Sequence, residues 1–217
     1  MNNAPERTSE APRHLVILCH PVQNSFNAAV ATAYCATVRA CGQQADVRDL
    51  YAMAFDPVLK ACEQPGAPDF ALSPDVCNEL ELVRASDVLV LVYPIWFGTP
   101  PAMMKGYVDR VLGAGFSARS MQSQSSPSCL AGKTLLSFTS SATRRQWLNE
   151  RGQWIALRQV FDHYLAHAFS LKSDEHVHFP SIVDGLDARF VEEHLEQVRI
   201  HARRVCGDVR ADWRRGG

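Results

Sequence analysis

The stretch HLVILCHPVQNSFNAAV, residues 14–30, joins a short apolar run to a polar loop and then to the start of a helical pattern. The apolar run at 14–19 predicts a buried strand. From Phe26 to Val38 an apolar residue recurs every four positions, which predicts an amphipathic helix. A strand followed at once by a helix is the repeating unit of a parallel α/β domain.

The same unit recurs along the chain. Residues 88–93 are apolar without interruption, which predicts a central strand buried on both faces. Prolines and a glycine break the pattern at 51–74, which predicts a long surface excursion. Further strands are predicted at 45–50, 132–141 and 169–179, and helices at about 101–112 and along the apolar stripe from Val191 to Val205. Five strands alternating with helices predict a three-layer, doubly wound α/β sandwich.

Chain length indicates one domain with short tails. A chain of 217 residues suffices for one well-buried core and is short for two ordinary domains. The polar start predicts a disordered tail at 1–13, and the domain itself is predicted at 14–207. Residues 208–217 are predicted to be a frayed tail.

Charge and cysteine content limit the possible functions. The chain has 22 Lys and Arg against 23 Asp and Glu, a balance that argues against a nucleic-acid binder. Its seven cysteines form no CxxC pair, which predicts reduced thiols. No segment reaches the roughly 18 apolar residues of a membrane span, and the start lacks a signal-peptide pattern. We therefore expect a cytoplasmic protein without a membrane span.

The loop after the first strand offers a binding site for a phosphate. Asn24 and Ser25 are good N-cap residues, and the helix behind them presents free backbone N–H groups and the positive end of its dipole. With the amide of Asn27, this loop can hold a phosphate without Lys or Arg. The alternative is that Ser25 only caps the helix. Neither GxGxxG nor GxxxxGKS is present.

Two further strand ends carry unusual residues. Pro94 ends the central strand, and Trp96 and Phe97 follow on a turn, where they suit a stacking wall for a flat ring; ordinary core packing is the alternative. The stretch from Thr139 to Ser141 supplies hydroxyl donors, although a plain turn would use the same residues. Phosphate, flat ring and polar donors at one sheet edge together describe a flavin nucleotide.

A metal site is the competing interpretation of the histidines. His176 and His178 stand two apart in a predicted strand, as metal ligands can. His163 and His167 are four apart on a helix, but the glutamate of an HExxH motif is missing. With no third ligand in the pattern, we predict no metal.

Three motifs resemble those of the flavodoxin-like NAD(P)H:quinone oxidoreductase family, the group of DT-diaphorase and its bacterial relatives. HPVQNSFNAA resembles the family's first loop, and DLYAMAFDPVL resembles its segment after the second strand. YPIWFGTPPAMMKGYVDRVL resembles its flavin loop and the following helix. The resemblance covers about residues 14–206 and implies a parallel sheet of strand order 2-1-3-4-5.

The resemblance implies a noncovalent flavin, FMN or FAD, and a ping-pong reaction. NADH or NADPH would reduce the flavin, and a small-molecule acceptor such as a quinone would reoxidise it. Hydride transfer is assigned to the flavin itself, so no catalytic side chain is named. A homodimer is also implied. The implied flavin contacts are His20, Asn24, Ser25, Phe26, Asn27, Pro94, Ile95, Trp96, Phe97, Gly98, Thr139, Ser140, Ser141 and Ala142.

The chain also departs from the family pattern. Ser141 and Ala142 stand where the family usually has glycines, and the family's Tyr and His that assist hydride transfer align near Trp147 and Gln153. The acceptor pocket is expected to be lined by Phe116, Ala118 and Trp147. Two other functions stay open at this point: a flavodoxin-like regulatory subunit with little turnover, and a relative that has lost its flavin.

Overall fold

The computed structural model describes residues 11–116 and 128–215. Five parallel strands form one sheet of order β2-β1-β3-β4-β5, which confirms the predicted fold class and strand order. Strand β3 is buried along its whole length at the centre of the sheet, as its unbroken apolar sequence predicts. The strands are β1 (Arg13–Leu18), β2 (Gln44–Asp49), β3 (Val88–Pro94), β4 (Thr134–Ser140) and β5 (Ser173–Phe179).

Helices cover both faces of the sheet. The helix predicted after the first strand is α1, and Ser25 is its N-cap. The remaining helices are α2 (Pro74–Ala85), α3 (Ala102–Tyr107), α4 (Arg145–Glu150), α5 (Gln153–Leu157), α6 (Tyr164–Ala168) and α7 (Ala188–Arg215), with α1 at Phe26–Ala40. A π-helical turn at Val108–Leu112 extends α3, and another at Arg158–His163 joins α5 to α6.

The pleat of the sheet divides the core in two, because alternate strand residues point to opposite faces. On one face Val16, Val90 and Phe138 pack against α1 and α7. On the other face Ile17 and Leu91 pack against α2, α3 and the helices that follow β4.

Regular structure extends past both boundaries predicted for the domain, residues 14 and 207. Arg13 belongs to β1, where its N–H donates to Asp87 Oδ2 at 2.8 Å; residues 1–10 of the predicted tail lie outside the described residues. At the other end α7 continues to Arg215, through the start of the segment predicted to be a frayed tail. Val209 is buried against the core, which holds this part of the helix in place.

The predicted surface excursion at 51–74 is partly buried. Its Glu63 lies at the core beside Arg110 of the π-helical turn, whose side chain is fully buried. Arg110 donates to Glu63 through Nε at 2.8 Å and Nη2 at 2.7 Å, and to Asp75 through Nη1 at 2.9 Å. These hydrogen bonds from Arg110 lower the pKa of Glu63 to about 2. A buried ion pair therefore fixes the excursion against the fold.

Candidate functional site

The carboxyl ends of β1, β3 and β4 meet at one edge of the sheet, where the loops that follow them enclose a cavity of about 640 Å³. This volume falls within the roughly 300–1,000 Å³ of small-molecule sites. Doubly wound sheets bind ligands at this edge, where the strand order reverses. The central position of β1 and β3 puts the cavity at that reversal.

The first loop presents the N-terminus of α1 to the cavity. Ser25 Oγ accepts a hydrogen bond from the N–H of Ala28 at 3.2 Å, so Ser25 does cap the helix. Helix geometry leaves the N–H groups of Phe26 and Asn27 without an intrahelical acceptor. Because α1 has 15 residues, its dipole adds a partial positive charge at the same place. Capping and anion binding are thus compatible in this loop.

The second loop is a tight hairpin turn. Trp96 and Thr99 exchange two backbone hydrogen bonds, at 3.0 and 3.1 Å. Between them Phe97 and Gly98 both have positive φ, 51° and 82°, which is the backbone of a type I′ turn. The Trp96 ring faces the cavity 6.0 Å from the ring of His20, whereas the side chain of Phe97 is fully exposed.

The third loop is tied to the other two. The N–H of Ile95 donates to the carbonyl of Ser140 at 2.7 Å, which connects the second loop to β4. Ser140 Oγ donates to Asn27 Oδ1 at 2.8 Å, and both side chains are buried. The cavity walls are therefore held in register by hydrogen bonds among the three loops.

A family model described as Flavodoxin_2, with a flavodoxin-like fold, matches residues 12–202. The chain belongs to this family. The match spans most of the chain, and it confirms the resemblance drawn from the three loop motifs.

Curated relatives share up to about a third of the aligned residues of this flavodoxin-like chain. A Haemophilus influenzae protein named "Uncharacterized NAD(P)H oxidoreductase" is 35% identical over 52% of this chain and 56% of its own. "NAD(P)H dehydrogenase [quinone] 1" of Cavia porcellus is 34% identical over 48% of this chain and 44% of its own. The chain thus spans about half the length of these two relatives. A mouse "Ribosyldihydronicotinamide dehydrogenase [quinone]" is 26% identical over 88% and 89% of the two chains.

Solved structures show the same flavodoxin-like fold. An NAD(P)H:quinone oxidoreductase from Methanothermobacter marburgensis superposes with a TM-score of 0.75 at 23% identity, over 90% of this chain and 96% of that one. A Bacillus anthracis FMN-dependent NADH-azoreductase in complex with FMN gives 0.66 at 14% identity, over 90% and 99%. At these identities the likeness shows the fold alone.

Most of the predicted flavin contacts of this flavodoxin-like chain line the cavity. Two do not: Gly98 lies at the tip of the hairpin turn, and Thr139 is fully buried beneath the third loop. The predicted residues that line the cavity are His20, Asn24, Ser25, Phe26, Asn27, Pro94, Ile95, Trp96, Phe97, Ser140, Ser141 and Ala142.

The cavity has a fourth wall that was not predicted. Residues 182–186, which follow β5, line the cavity, and the N–H of Ile182 donates to the carbonyl of Ser141 at 2.9 Å. The strand order could have predicted this wall, because the fifth parallel strand ends at the same sheet edge as the other four.

Of the residues predicted for the acceptor pocket, the two that the structure describes, Phe116 and Trp147, lie elsewhere than in the cavity. Phe116 packs against Phe169 with ring centroids 5.3 Å apart, and Trp147 is half exposed on α4 beside Arg151. Neither lines the cavity. Ala118 lies outside the described residues.

His176 and His178 do share one face of β5, but both bond to Thr139 Oγ1, at 2.7 and 2.9 Å. Across residues 11–116 and 128–215, no group of three or more His, Cys, Asp or Glu is arranged to hold a metal ion. His163 instead lies 3.0 Å from Asp174. Within the same two ranges, no helix is both long enough and apolar enough to span a bilayer.

A second groove, of about 850 Å³, runs along α1 and α7. It shares Asn24, Ser25 and Ala29 with the cavity, and most of its other lining residues, such as Ala33 and Arg199, lie on the two helices. Because no strand end reaches it, we place the site in the smaller cavity.

The residues of the cavity fit a flavin nucleotide. A phosphate fits the N-terminus of α1, and a flat ring fits the wall of Ile95 and Trp96 beside the small residues Ser141 and Ala142. Among the lining residues that the structure describes, none is Lys or Arg, so the backbone N–H groups and the dipole of α1 are the main source of positive potential.

Proposed function

We propose that the chain is a flavin-dependent oxidoreductase that passes hydride from NAD(P)H to a quinone or a similar electron-poor acceptor. One observation carries the proposal: an anion-binding helix N-terminus, an aromatic wall and a hydroxyl-rich loop meet in a single cavity at the switch point of the sheet. The names of the curated relatives, which include two quinone-dependent dehydrogenases, support the same reaction class.

The cavity residues would hold the two ends of the flavin separately. The backbone N–H groups of Phe26 and Asn27 would bind its phosphate, with Asn24 and Ser25 beside it. Ile95 and Trp96 would contact its ring. The hairpin uses the N–H groups of Trp96 and Thr99 internally, and this leaves those of Phe97 and Gly98 with no acceptor in the described part of the chain. They are the donors available to a ligand edge.

The flavin, when bound, accepts and releases two electrons, and the protein supplies position and electrostatics. The hydrogen bond between the buried, uncharged side chains of Asn27 and Ser140 ties the first loop to the end of β4. It therefore fixes the distance between the proposed phosphate position and the wall formed by Ile95 and Trp96. Burial lowers the pKa of His20, which disfavours a positive charge on its imidazole beside the first loop.

We also propose a homodimer, as the family resemblance implies. Ile155, Val160 and Tyr164 are exposed apolar side chains along the helical segment that runs from α5 to α6. Their spacing of five and four residues across a π-helical turn is that of one helix face. An exposed apolar face of this kind is typical of a protein interface.

The test is a binding titration followed by an assay. Purified protein stripped of small molecules is titrated with FMN and with FAD, and the saturated protein is assayed for NADH and NADPH oxidation with menadione as acceptor. Flavin binding with menadione-dependent turnover is the expected result, and the tighter flavin identifies the cofactor. Flavin binding without turnover would favour a regulatory subunit, and absence of flavin binding would overturn the proposal.

A further inference from the structure

Five polar side chains form a continuous hydrogen-bonded chain beneath the third loop. It begins at Asp162 in the π-helical turn, passes along β5 and β4, and ends at Ser141 on the cavity wall. The successive contacts are Asp162 Oδ2 to His176 Nδ1 at 2.5 Å, His176 Nε2 to Thr139 Oγ1 at 2.7 Å, Thr139 Oγ1 to His178 Nδ1 at 2.9 Å, and His178 Nε2 to Ser141 Oγ at 3.1 Å.

The chain is sealed from water over most of its length. The side chains of Asp162 and His176 are almost fully buried, and His178 and Thr139 are buried too. The indole of Trp154 covers both imidazoles, with ring centroids 4.7 and 5.2 Å away. Of the five residues in the chain, Ser141 alone lines the cavity.

The direction of the hydrogen bonds follows from the Ser141 end. Ser141 has one hydroxyl proton and donates it to the carbonyl of Thr143 at 3.1 Å, so it must accept from His178 Nε2–H. Burial, with the charges of His176 and Arg145 adding to it, lowers the pKa of His178 to about 3, so this ring is neutral. Its other nitrogen, Nδ1, must then accept from the hydroxyl of Thr139.

The same logic fixes the far end. Because Thr139 gives its proton to His178, its oxygen accepts from His176 Nε2–H. His176 Nδ1 lies 2.5 Å from Asp162 Oδ2, so these two buried atoms hold a second proton between them.

We propose that these five side chains are a proton relay that ends at the hydroxyl of Ser141 and supplies the proton consumed in each turnover. The inference rests on the proposed function, because NAD(P)H + H⁺ + quinone → NAD(P)⁺ + hydroquinone takes up one proton. The departure at Ser141, where the family pattern has glycine, then has a role: it provides the last hydroxyl of the relay.

In each turnover one proton passes along these side chains to the reduced acceptor. Ser141 releases its hydroxyl proton to the reduced acceptor and takes one from His178 Nε2. His178 Nδ1 takes the proton of Thr139, and Thr139 takes one from His176 Nε2. His176 is left with a single proton, shared between its Nδ1 and Asp162, and the three hydrogen bonds between His176 and Ser141 have reversed their direction. After product release, water in the open cavity returns a proton along the same path.

Other charged groups face this chain and enter its pH dependence. Arg145 of α4 lies over Trp154, with its guanidinium 5.9 Å from the indole ring. Arg158 Nε lies 3.9 Å from Asp162 Oδ2, and its Nη2 lies 3.6 Å from Asp174, which also faces His163. From β3 Tyr93 is fully buried, and burial, followed by the charge of Asp162, raises the pKa of its phenol.

The decisive substitutions are at Thr139, which links the two imidazoles and does not line the cavity. Thr139→Val keeps the shape and removes the hydroxyl; Thr139→Ser keeps the hydroxyl and is the matched control. With flavin-saturated protein, Thr139→Val should slow the reoxidation by menadione about 100-fold, at the lower end of the range of lost acid catalysis. Added imidazole buffer should restore the rate, and Thr139→Ser should behave as wild type. A wild-type rate and pH profile in Thr139→Val would overturn the relay.

A second measurement needs no bound flavin. Nitrogen NMR of histidine-labelled protein should show a proton on Nε2 of His176 and His178 as the neutral Nε2–H form at neutral pH. In Thr139→Val the His178 Nδ1 resonance should shift, because that nitrogen loses the Thr139 hydroxyl, while its Nε2–H still donates to Ser141. An Nδ1–H tautomer of His178 in the wild-type chain would overturn the relay even where turnover is normal. Failure of flavin binding with these NMR states intact would instead count against the proposed function.

Discussion

At the level of single side chains, the neighbours Trp96 and Phe97 differ sharply. Both line the cavity, but the Trp96 ring lies beside His20 and is partly covered, whereas the side chain of Phe97 is fully exposed at the tip of its turn. Trp96→Ala should therefore weaken flavin binding about tenfold by removing the stacking surface. A flavin titration measures this effect. Phe70→Ala is the control, because Phe70 is similarly exposed, 44% against 38%, but lies outside the cavity. Equal losses in both variants would contradict the assignment.

Glu63 should make the fold acid-sensitive. Its pKa is about 2 in the folded chain, against 4.5 when unpaired, because Arg110 donates two hydrogen bonds to it. A lowered pKa stabilises the fold above pH 4.5, and this stabilisation is lost as the pH falls towards 2. This difference in pKa corresponds to roughly 3 kcal/mol of the free energy of unfolding.

Urea unfolding at several pH values measures that loss. Glu63→Gln should be less stable than wild type at neutral pH and should flatten the decline below pH 4.5. Glu81→Gln changes an exposed carboxylate and should leave the decline unchanged. A decline of the same size in Glu63→Gln would show that other carboxylates cause it.

Some residues of the site could be predicted from the sequence, and the orientation of others could not. The loop residues were predictable, because polar and aromatic side chains at strand ends stand out from their apolar surroundings. Thr139 was placed with them, yet its side chain lies on the opposite face from Ser140, which bonds to Asn27. Only the strand pairing, which puts His178 beside Thr139, shows which face that is.

At the level of elements, two helical glycines should respond oppositely to alanine. A Cβ on Gly106 in α3 would lie 2.3 Å from Pro57 Cβ and 2.5 Å from its Cα, so the backbone of the excursion would have to move. Gly106→Ala should destabilise the fold by about 1–3 kcal/mol. Gly207 in α7 has nothing within 4 Å of such a Cβ, and Gly207→Ala should stabilise by about 0.5–1 kcal/mol. Thermal or urea unfolding tests both signs, and stabilisation by Gly106→Ala would refute the close packing.

Strands and helices were predictable where the sequence follows a single hydrophobic pattern. Strand β3 and helix α1 follow directly from an unbroken apolar run and a four-residue repeat. The partial burial of the excursion at 51–74 could not be predicted, because it comes from one long-range ion pair with Arg110. The end of α7 was missed for a similar reason: a single buried residue, Val209, anchors a polar turn.

At the level of the whole molecule, the helical segment from α5 to α6 should mediate dimerisation. Ile155→Asp combined with Val160→Asp should convert a dimer into a monomer, because two charges would be buried in an apolar interface. Light scattering after gel filtration measures the mass. Val58→Asp is the control, since Val58 is exposed to a similar extent, 67% against 69% for Val160, on a different segment. A wild-type chain of monomer mass would contradict the proposed interface.

The pleat of β4 also governs which changes of length the molecule can accept. Ser137 and Thr139 point to the face that holds Asp162 and His176, and Ser140 points to the face that holds Asn27. Inserting one residue into this strand would exchange the two sets of side chains while leaving the backbone ladder able to form. The residue count of β4 is therefore fixed, because this one strand places side chains on both faces of the sheet at once.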